Sequence, residues 1–179
     1  MVGMSVSPYL SNESVDRMTG AASAGGGGMV ALIPTEDDAH RLAIPGWEPV
    51  EELHVTLAFL GGVDQPPAFQ QRLLDIVAVC AKKTGLVVGD LWAACAFNPT
   101  GPTPCATYLV GGSSVEDVHS LLEDRMMGLE LPQQHRPWVP HITIGYGLYA
   151  WRLGEFGPVT FDRLRVAFED DTGTDFVLT

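Results

Sequence analysis

Positive charge is what this chain has least of. Its 179 residues include 10 lysines and arginines against 22 aspartates and glutamates, a formal net charge of −12. That balance disfavours non-specific attraction to long DNA or RNA, so duplex DNA is not an expected partner; a compact anion can still bind where a few donors focus the local field. No basic stripe interleaved with aromatics marks a single-strand groove, which leaves a small nucleotide or an RNA end as the better fit. Long apolar runs are also missing. None approaches the ~20 residues a membrane helix needs, and no membrane partner is expected. The N-terminus has no basic leader, and Ser, Asn, Asp and Gly break its apolar residues, unlike a secretory signal. The only cysteines are Cys80, Cys95 and Cys105, an odd number without ligand-like spacing, which reads as reduced thiols of a cytoplasmic protein. Neither an HExxH helix nor a Cys/His cluster is present, so no metal and no cofactor are expected.

What is there is globular. With 46% hydrophobic residues, the chain is long enough for one good-sized core, or for two small lobes sharing one. Residues 1–28 read as a flexible Ser/Gly-rich tail or linker ending in AASAGGGG, whose ordering entropy burial does not offset; a short helix over 11–18 is a weak signal within it. That linker leaves room for a tethered partner. The folded domain is expected over 29–179, with lobes at about 29–98 and 105–179 joined by the turn-rich run Asn98 to Pro104.

Within the domain, 29–33 reads as a strand, and Thr35 caps a short helix to Leu42 with Glu36, Asp37 and Asp38 in its first turn. Residues 67–83 carry apolar side chains at helical spacing. Residues 86–97 read as one or two strands with a turn near Gly89–Asp90, and 105–110 as another strand. Ser114 is expected to start a helix, with Asp117 completing a capping-box variant. Further strands are expected at 141–146, 159–168 and 174–178, with a turn over 170–173. Strands and helices in this order favour an α+β fold.

The informative feature is a repeat. HVTLAFLG at 54–61 is echoed by HITIGYG at 141–147, about half the chain away. On a strand, positions i and i+2 share a face, so His54 with Thr56, and His141 with Thr143, each present an imidazole beside a hydroxyl. Val55, Leu57, Ile142 and Ile144 then point into a core. Imidazole titrates near neutrality, so one copy can accept a proton while the other donates. Hydroxyls beside them suit the non-bridging oxygens of a phosphodiester. A lone strand histidine is usually structural, but two in matching surroundings point to catalysis.

These two motifs resemble the signature of the 2H phosphoesterase superfamily, in particular its 2′-5′ RNA ligase or RNA 2′,3′-cyclic phosphodiesterase (LigT-like) branch. HVTLAFLGG comes after Glu51–Glu52, PHITIGYG begins at Pro140, and a closing strand carries FDRLRVAF. The resemblance spans about 29–179. It implies a bilobal, pseudo-twofold α+β fold with antiparallel sheets lining a central cleft and helices outside. It also implies metal-independent hydrolysis of a 2′,3′-cyclic phosphate to a 2′-phosphate, with 2′-5′ ligation or hydrolysis of cyclic oligonucleotides as alternatives. His54 and His141 are then the acid/base pair and Thr56 and Thr143 the phosphate-binding hydroxyls, His141 activating water and His54 protonating the 3′ oxygen. An inactive nucleotide-binding module would be marked by loss of one of these four residues, and all four are present. Nothing in this architecture needs a second subunit, so a monomer is expected.

The chain departs from its relatives after the second motif. Many place an arginine there; here the first is Arg152, which either swings in or is solvated. Tyr146 lies at i+5 from His141, where some eukaryotic cyclic phosphodiesterases use a tyrosine against phosphate. Trp138 either stacks on a base or anchors its loop. His135 and Arg136 either meet a phosphate or are solvated. Phe59 is expected in the core, and His40 and His119 on helices as surface or boundary residues.

Overall fold

The structure, a computed structural model, describes residues 27–61, 65–168 and 173–179. The expected helix over 11–18, the tail up to residue 26 and nearly all of the turn over 170–173 lie outside the described residues. Among the described residues, seven strands and three helices follow one another as β1 (Gly28–Pro34), α1 (Glu36–Leu42), β2 (Val55–Gly61), α2 (Pro67–Ala81), β3 (Val87–Phe97), β4 (Cys105–Gly111), α3 (Ser113–Met126), β5 (His141–Tyr146), β6 (Gly157–Ala167) and β7 (Thr174–Val177). Short 3₁₀ turns occupy Val50–Glu52 and Ala150–Arg152.

All strand pairs are antiparallel, in the order β1-β2-β5-β4-β3-β6-β7, and β1 also pairs with β6. Six strands therefore close on themselves, with β7 added to β6. The closure depends on β6, whose first half lies against β3 and second half against β1. Its least-paired seam is between β2 and β5, joined by a single pair, Val55 with Ile142. One face of the sheet carries Leu32, Val55, Tyr108, Ile142, Leu164 and Val166, all at most 1% exposed, in a core shared with Leu73 and Val77 of α2 and Val115, Val118 and Leu122 of α3.

Thr35 caps α1 as its sequence suggests, its hydroxyl accepting from the Asp38 N–H at 3.4 Å. Two local expectations give way to packing. β3 runs unbroken through Gly89: a Cβ there would lie 2.8 Å from Val110 Cγ1 and 3.2 Å from Val115 Cγ2, so the glycine admits α3 to the sheet and makes no turn. Helix α3 starts at Ser113 behind Gly112, without a side-chain cap. Gly112 has φ of 119°, and a Cβ there would lie 3.3 Å from the Val88 carbonyl. Ser114 donates instead to Val88 O at 2.6 Å, tying the helix to β3.

Candidate active site

The Val55–Ile142 pair joins the middle residues of the two His-x-Thr motifs. Carried one residue either way, this antiparallel register sets His54 opposite Thr143 and Thr56 opposite His141, all on the face away from the core. A pseudo-twofold axis thus passes between Val55 and Ile142, and the strands diverge on both sides of it. Each half of the site presents one imidazole and one hydroxyl from different motifs.

The two rings are held alike. His54 Nδ1–H donates to the Glu52 carbonyl at 2.6 Å, and His141 Nδ1–H donates to the Val139 carbonyl at 2.7 Å, in each case two residues upstream. A carbonyl only accepts, so the neutral rings carry their proton on Nδ1 and their basic lone pair on Nε2. Phe97 packs edge-on against His141, ring centroids 4.9 Å apart. Burial pushes the His54 pKa below the usual histidine value; the Glu52 carbonyl works against this, and the nearby His141 and Arg165 reinforce it. Both imidazoles charged together is thus the disfavoured state, as an acid/base pair sharing one proton requires.

Thr143 is backed by a thiol. Cys105 donates to Thr143 Oγ1 at 3.7 Å. Burial pushes the Cys105 pKa up to about 11, so the thiol keeps its proton. With one acceptor position of the Thr143 hydroxyl used, its own proton can be given to a ligand oxygen.

Each motif strand carries an irregularity directly after its threonine. In β2, Thr56 pairs with Ala31 but Ala58 with Val30; in β5, Thr143 pairs with Thr107 but Gly145 with Ala106. Leu57 and Ile144 are the extra residues, and past such a bulge the alternation of faces inverts. Phe59, opposite Met29, and Tyr146, opposite Cys105, therefore come onto the histidine face. This corrects the core placement expected for Phe59, which is half-buried and lines the cleft. The two aromatics occupy the same His+5 position, a spacing that could have revealed Phe59 beside Tyr146. Burial pushes the Tyr146 phenol up to about 12, with Cys105 and Glu48 adding to the effect, so it stays a neutral hydrogen-bond donor.

Where β2 and β5 part, other segments meet their open edges. The loop before β5 covers β2: Phe59 N–H donates to Gln134 Oε1 at 2.8 Å, Gln134 Nε2 donates to Phe59 O at 2.9 Å, and Trp138 Nε1 donates to Thr56 O at 3.0 Å. On β5, Glu48 N–H donates to Ile144 O at 3.1 Å, and Trp47 lies against Gly145, where a Cβ would be 2.9 Å from its ring. Beside β2 this leaves a small cleft of about 40 Å³ lined by Thr56, Phe59, Gln134, His135, Trp138 and His141.

The structure brings His141, Thr56, His135 and Trp138 to this cleft, and sets Tyr146 on the same sheet face. The Trp138 indole N–H is committed to the backbone, and its ring stacks on His119 at 3.7 Å and 5°. His119 is thus a buried support, more enclosed than its boundary reading suggested. Arg136 bonds Glu123 and lines a neighbouring hollow. Arg152 does not reach the site. Leu148 and Leu153, both buried, pin the Ala150–Arg152 turn against the core face of β3 and β4, and its guanidinium lies over exposed Trp151. Sequence reading also missed Gln134, Cys105 and Arg165; only cross-strand placement links them to the motifs. Among the described residues, no group of three or more His, Cys, Asp or Glu side chains is placed to hold a metal ion, and no helix is long and apolar enough to cross a membrane.

Solved structures share this architecture. TT0787 of Thermus thermophilus is 19% identical, matched over 86% of this chain and 95% of that one at a TM-score of 0.61. The fold is that of the LigT-like 2H phosphoesterases. Escherichia coli LigT, solved with 3′-AMP, is 15% identical over 86% of this chain and 95% of its own at 0.55. Usb1 of Kluyveromyces marxianus is 11% identical over 88% and 100% at 0.52. No family model and no curated protein sequence matches the chain. The 2H phosphoesterase fold is thus recognised through its architecture, and the expected α+β sheet with outer helices is present.

Proposed function

We propose that this chain is a metal-independent phosphodiesterase that opens a 2′,3′-cyclic phosphate, on an RNA end or a small nucleotide, to a 2′-phosphate. The observation that carries this reading is the Val55–Ile142 register, which sets an imidazole of one motif against a hydroxyl of the other, twice, with Thr56 and His141 lining a cleft. Support comes also from E. coli LigT, which shares the fold and has been solved with 3′-AMP, phosphate, ATP and NADP+.

In the proposed reaction, Thr56 and Thr143 donate to the non-bridging oxygens and hold the phosphorus between the histidines. His141 Nε2 takes a proton from water as its oxygen bonds to phosphorus. His54, protonated at Nε2, gives its proton to O3′ as the P–O3′ bond breaks. The product is a 2′-phosphate with a free 3′-hydroxyl. His141 is left protonated and His54 neutral, and exchange with solvent resets the pair. No step needs a metal. Phe59 and Tyr146 flank the threonines on the histidine face, Phe59 offering a ring to the base and Tyr146 a donor to phosphate. A net charge of −12 fits a small ligand reached through local donors better than a duplex.

The test is turnover in EDTA of a panel of 2′,3′-cyclic nucleotides, 2′-5′ dinucleotides and 3′-5′ cyclic oligonucleotides, with products identified by mass spectrometry and phosphorus NMR. Hydrolysis of the 2′,3′-cyclic compounds to 2′-phosphates is expected. A 3′-phosphate product, or turnover that EDTA abolishes, would refute the mechanism.

A further inference from the structure

The histidines share a ring geometry, but the segments that orient them are anchored differently. Upstream of His141, Pro140 O accepts from the Val110 N–H at 2.9 Å, so the sheet itself holds the approach to the ring. Upstream of His54, the orienting carbonyl belongs to Glu52, the last residue of a 3₁₀ turn, Val50–Glu52, none of whose residues is fully buried. Leu53 and Val55 are 0% exposed and fix the His54 backbone, but Glu52 lies just outside that anchor. One side chain reaches this turn from across the sheet: Arg165 Nη1 donates to Glu51 O at 3.0 Å.

Arg165 is placed for this by register. Thr56 pairs with Ala31, Ala31 with Arg165, and Arg165 with Asp175, so the four form one row on the histidine face. Ala31 has too small a side chain to fill the space between. Asp175 receives Arg165 in the bidentate manner, from Nε at 2.7 Å and from Nη2 at 3.0 Å. That leaves Nη1 for the turn, and a guanidinium held by two parallel bonds keeps a fixed direction.

We infer that the Asp175–Arg165 pair is the positioning device of His54, clamping the turn whose next carbonyl orients the imidazole and setting a partly neutralised cation beside the acid/base pair. The charged groups facing His54 are Glu52 on its own segment, His141 on β5 and Arg165 on β6, with Asp175 on β7 behind Arg165. The pair therefore acts on His54 by geometry and by charge, and substitutions separate the two. Arg165→Met removes clamp and cation together. Arg165→Lys keeps the cation but loses the two-point hold. Asp175→Asn leaves the cation un-neutralised.

The two effects oppose each other. By charge Arg165 disfavours the His54 imidazolium, while the Glu52 carbonyl that the clamped turn presents favours it. Arg165→Lys, which loses the clamp and keeps the cation, therefore lowers the His54 titration midpoint. Asp175→Asn, which frees the cation and loosens the clamp, lowers it too. Arg165→Met loses both effects and lies above Arg165→Lys. The experiment is an NMR titration of the His54 ring in the full chain, its signal assigned by loss in His54→Ala. The expected outcome is a fall in Arg165→Lys and in Asp175→Asn, with the Arg165→Met midpoint above that of Arg165→Lys. A parent-like midpoint in Arg165→Lys, or an Arg165→Met midpoint at or below that of Arg165→Lys, overturns the inference. A kinetic arm rests on the phosphodiesterase reading: kcat falls about 10- to 100-fold in Arg165→Met with KM little changed, and Arg165→Lys recovers part of the loss. A chain without turnover but with these titration shifts would sink that reading and leave the positioning pair standing.

Discussion

Gln134 performs at the open edge of β2 the task a neighbouring strand would otherwise perform, and its removal is open to a quantitative test. Its amide accepts from Phe59 N–H at 2.8 Å and donates to Phe59 O at 2.9 Å and Pro132 O at 2.8 Å. Gln134→Ala removes all three bonds. Two of them serve backbone groups of a half-buried strand residue, where a typical bond contributes about 1 kcal/mol net. A loss of about 2–3 kcal/mol is expected, lowering Tm by roughly 4–12 °C for a domain of this size. Gln134→Glu is the sharper variant. It keeps the acceptor for Phe59 N–H but, once ionised, points a carboxylate at two carbonyl oxygens. It should therefore be at least as damaging as alanine at pH 7 and recover at pH 4, where the acid proton restores a donor. Urea unfolding at both pH values, with hydrogen exchange at the Phe59 amide, reads the effect. Both variants within about 0.5 kcal/mol of the parent, or a Gln134→Glu loss independent of pH, would refute the edge-strand account.

Three further outcomes rest on single contacts. Gly145→Ala places a Cβ 2.9 Å from the Trp47 ring, so it should cost about 1–3 kcal/mol and change tryptophan emission, both readable in one thermal melt. Asp38 accepts from Thr160 N–H at 2.7 Å and from Arg41 at 2.7 Å; burial raises its pKa, but these partners outweigh it and hold the carboxyl below its ordinary value. Its contribution is therefore full above the unfolded-state pKa and lost as pH falls through the lower folded one, so Asp38→Asn should destabilise at pH 7 and make little difference near pH 2 in chemical unfolding. Phe59→Ala should raise KM for a cyclic nucleotide about tenfold or more while leaving kcat within a few fold, as loss of a stacking platform does; an unchanged KM would return Phe59 to a packing role.

The motif strands were legible because a two-residue period is written in their side chains: Val55, Leu57, Ile142 and Ile144 are buried as their alternation implies. The bulges were not legible. An extra residue leaves the run of apolar letters intact and only swaps the faces of the residues beyond it, so Phe59 read as core although Tyr146, at the same spacing, read as a ligand contact. Gly89 and Ser114 were misread for a related cause: turn and capping propensities are local, and the close approach of α3 to β3 is not. Arg165 was beyond reach, because its relation to His54 exists only through the row Thr56–Ala31–Arg165–Asp175, and three separate pairings create that row.

The central claim is that His54 and His141 act as one unit on a cyclic phosphate without metal. The most direct measurement is the rate of 2′,3′-cyclic AMP opening in EDTA, monitored by phosphorus NMR, for the parent chain, His54→Ala, His141→Ala and the double variant. The account predicts formation of the 2′-phosphate, a loss of ~10²–10⁴-fold in each single variant, and a double variant little worse than either, since half of an acid/base pair is of little use alone. Losses that multiply in the double variant, or a single variant that keeps the parent rate, would contradict it.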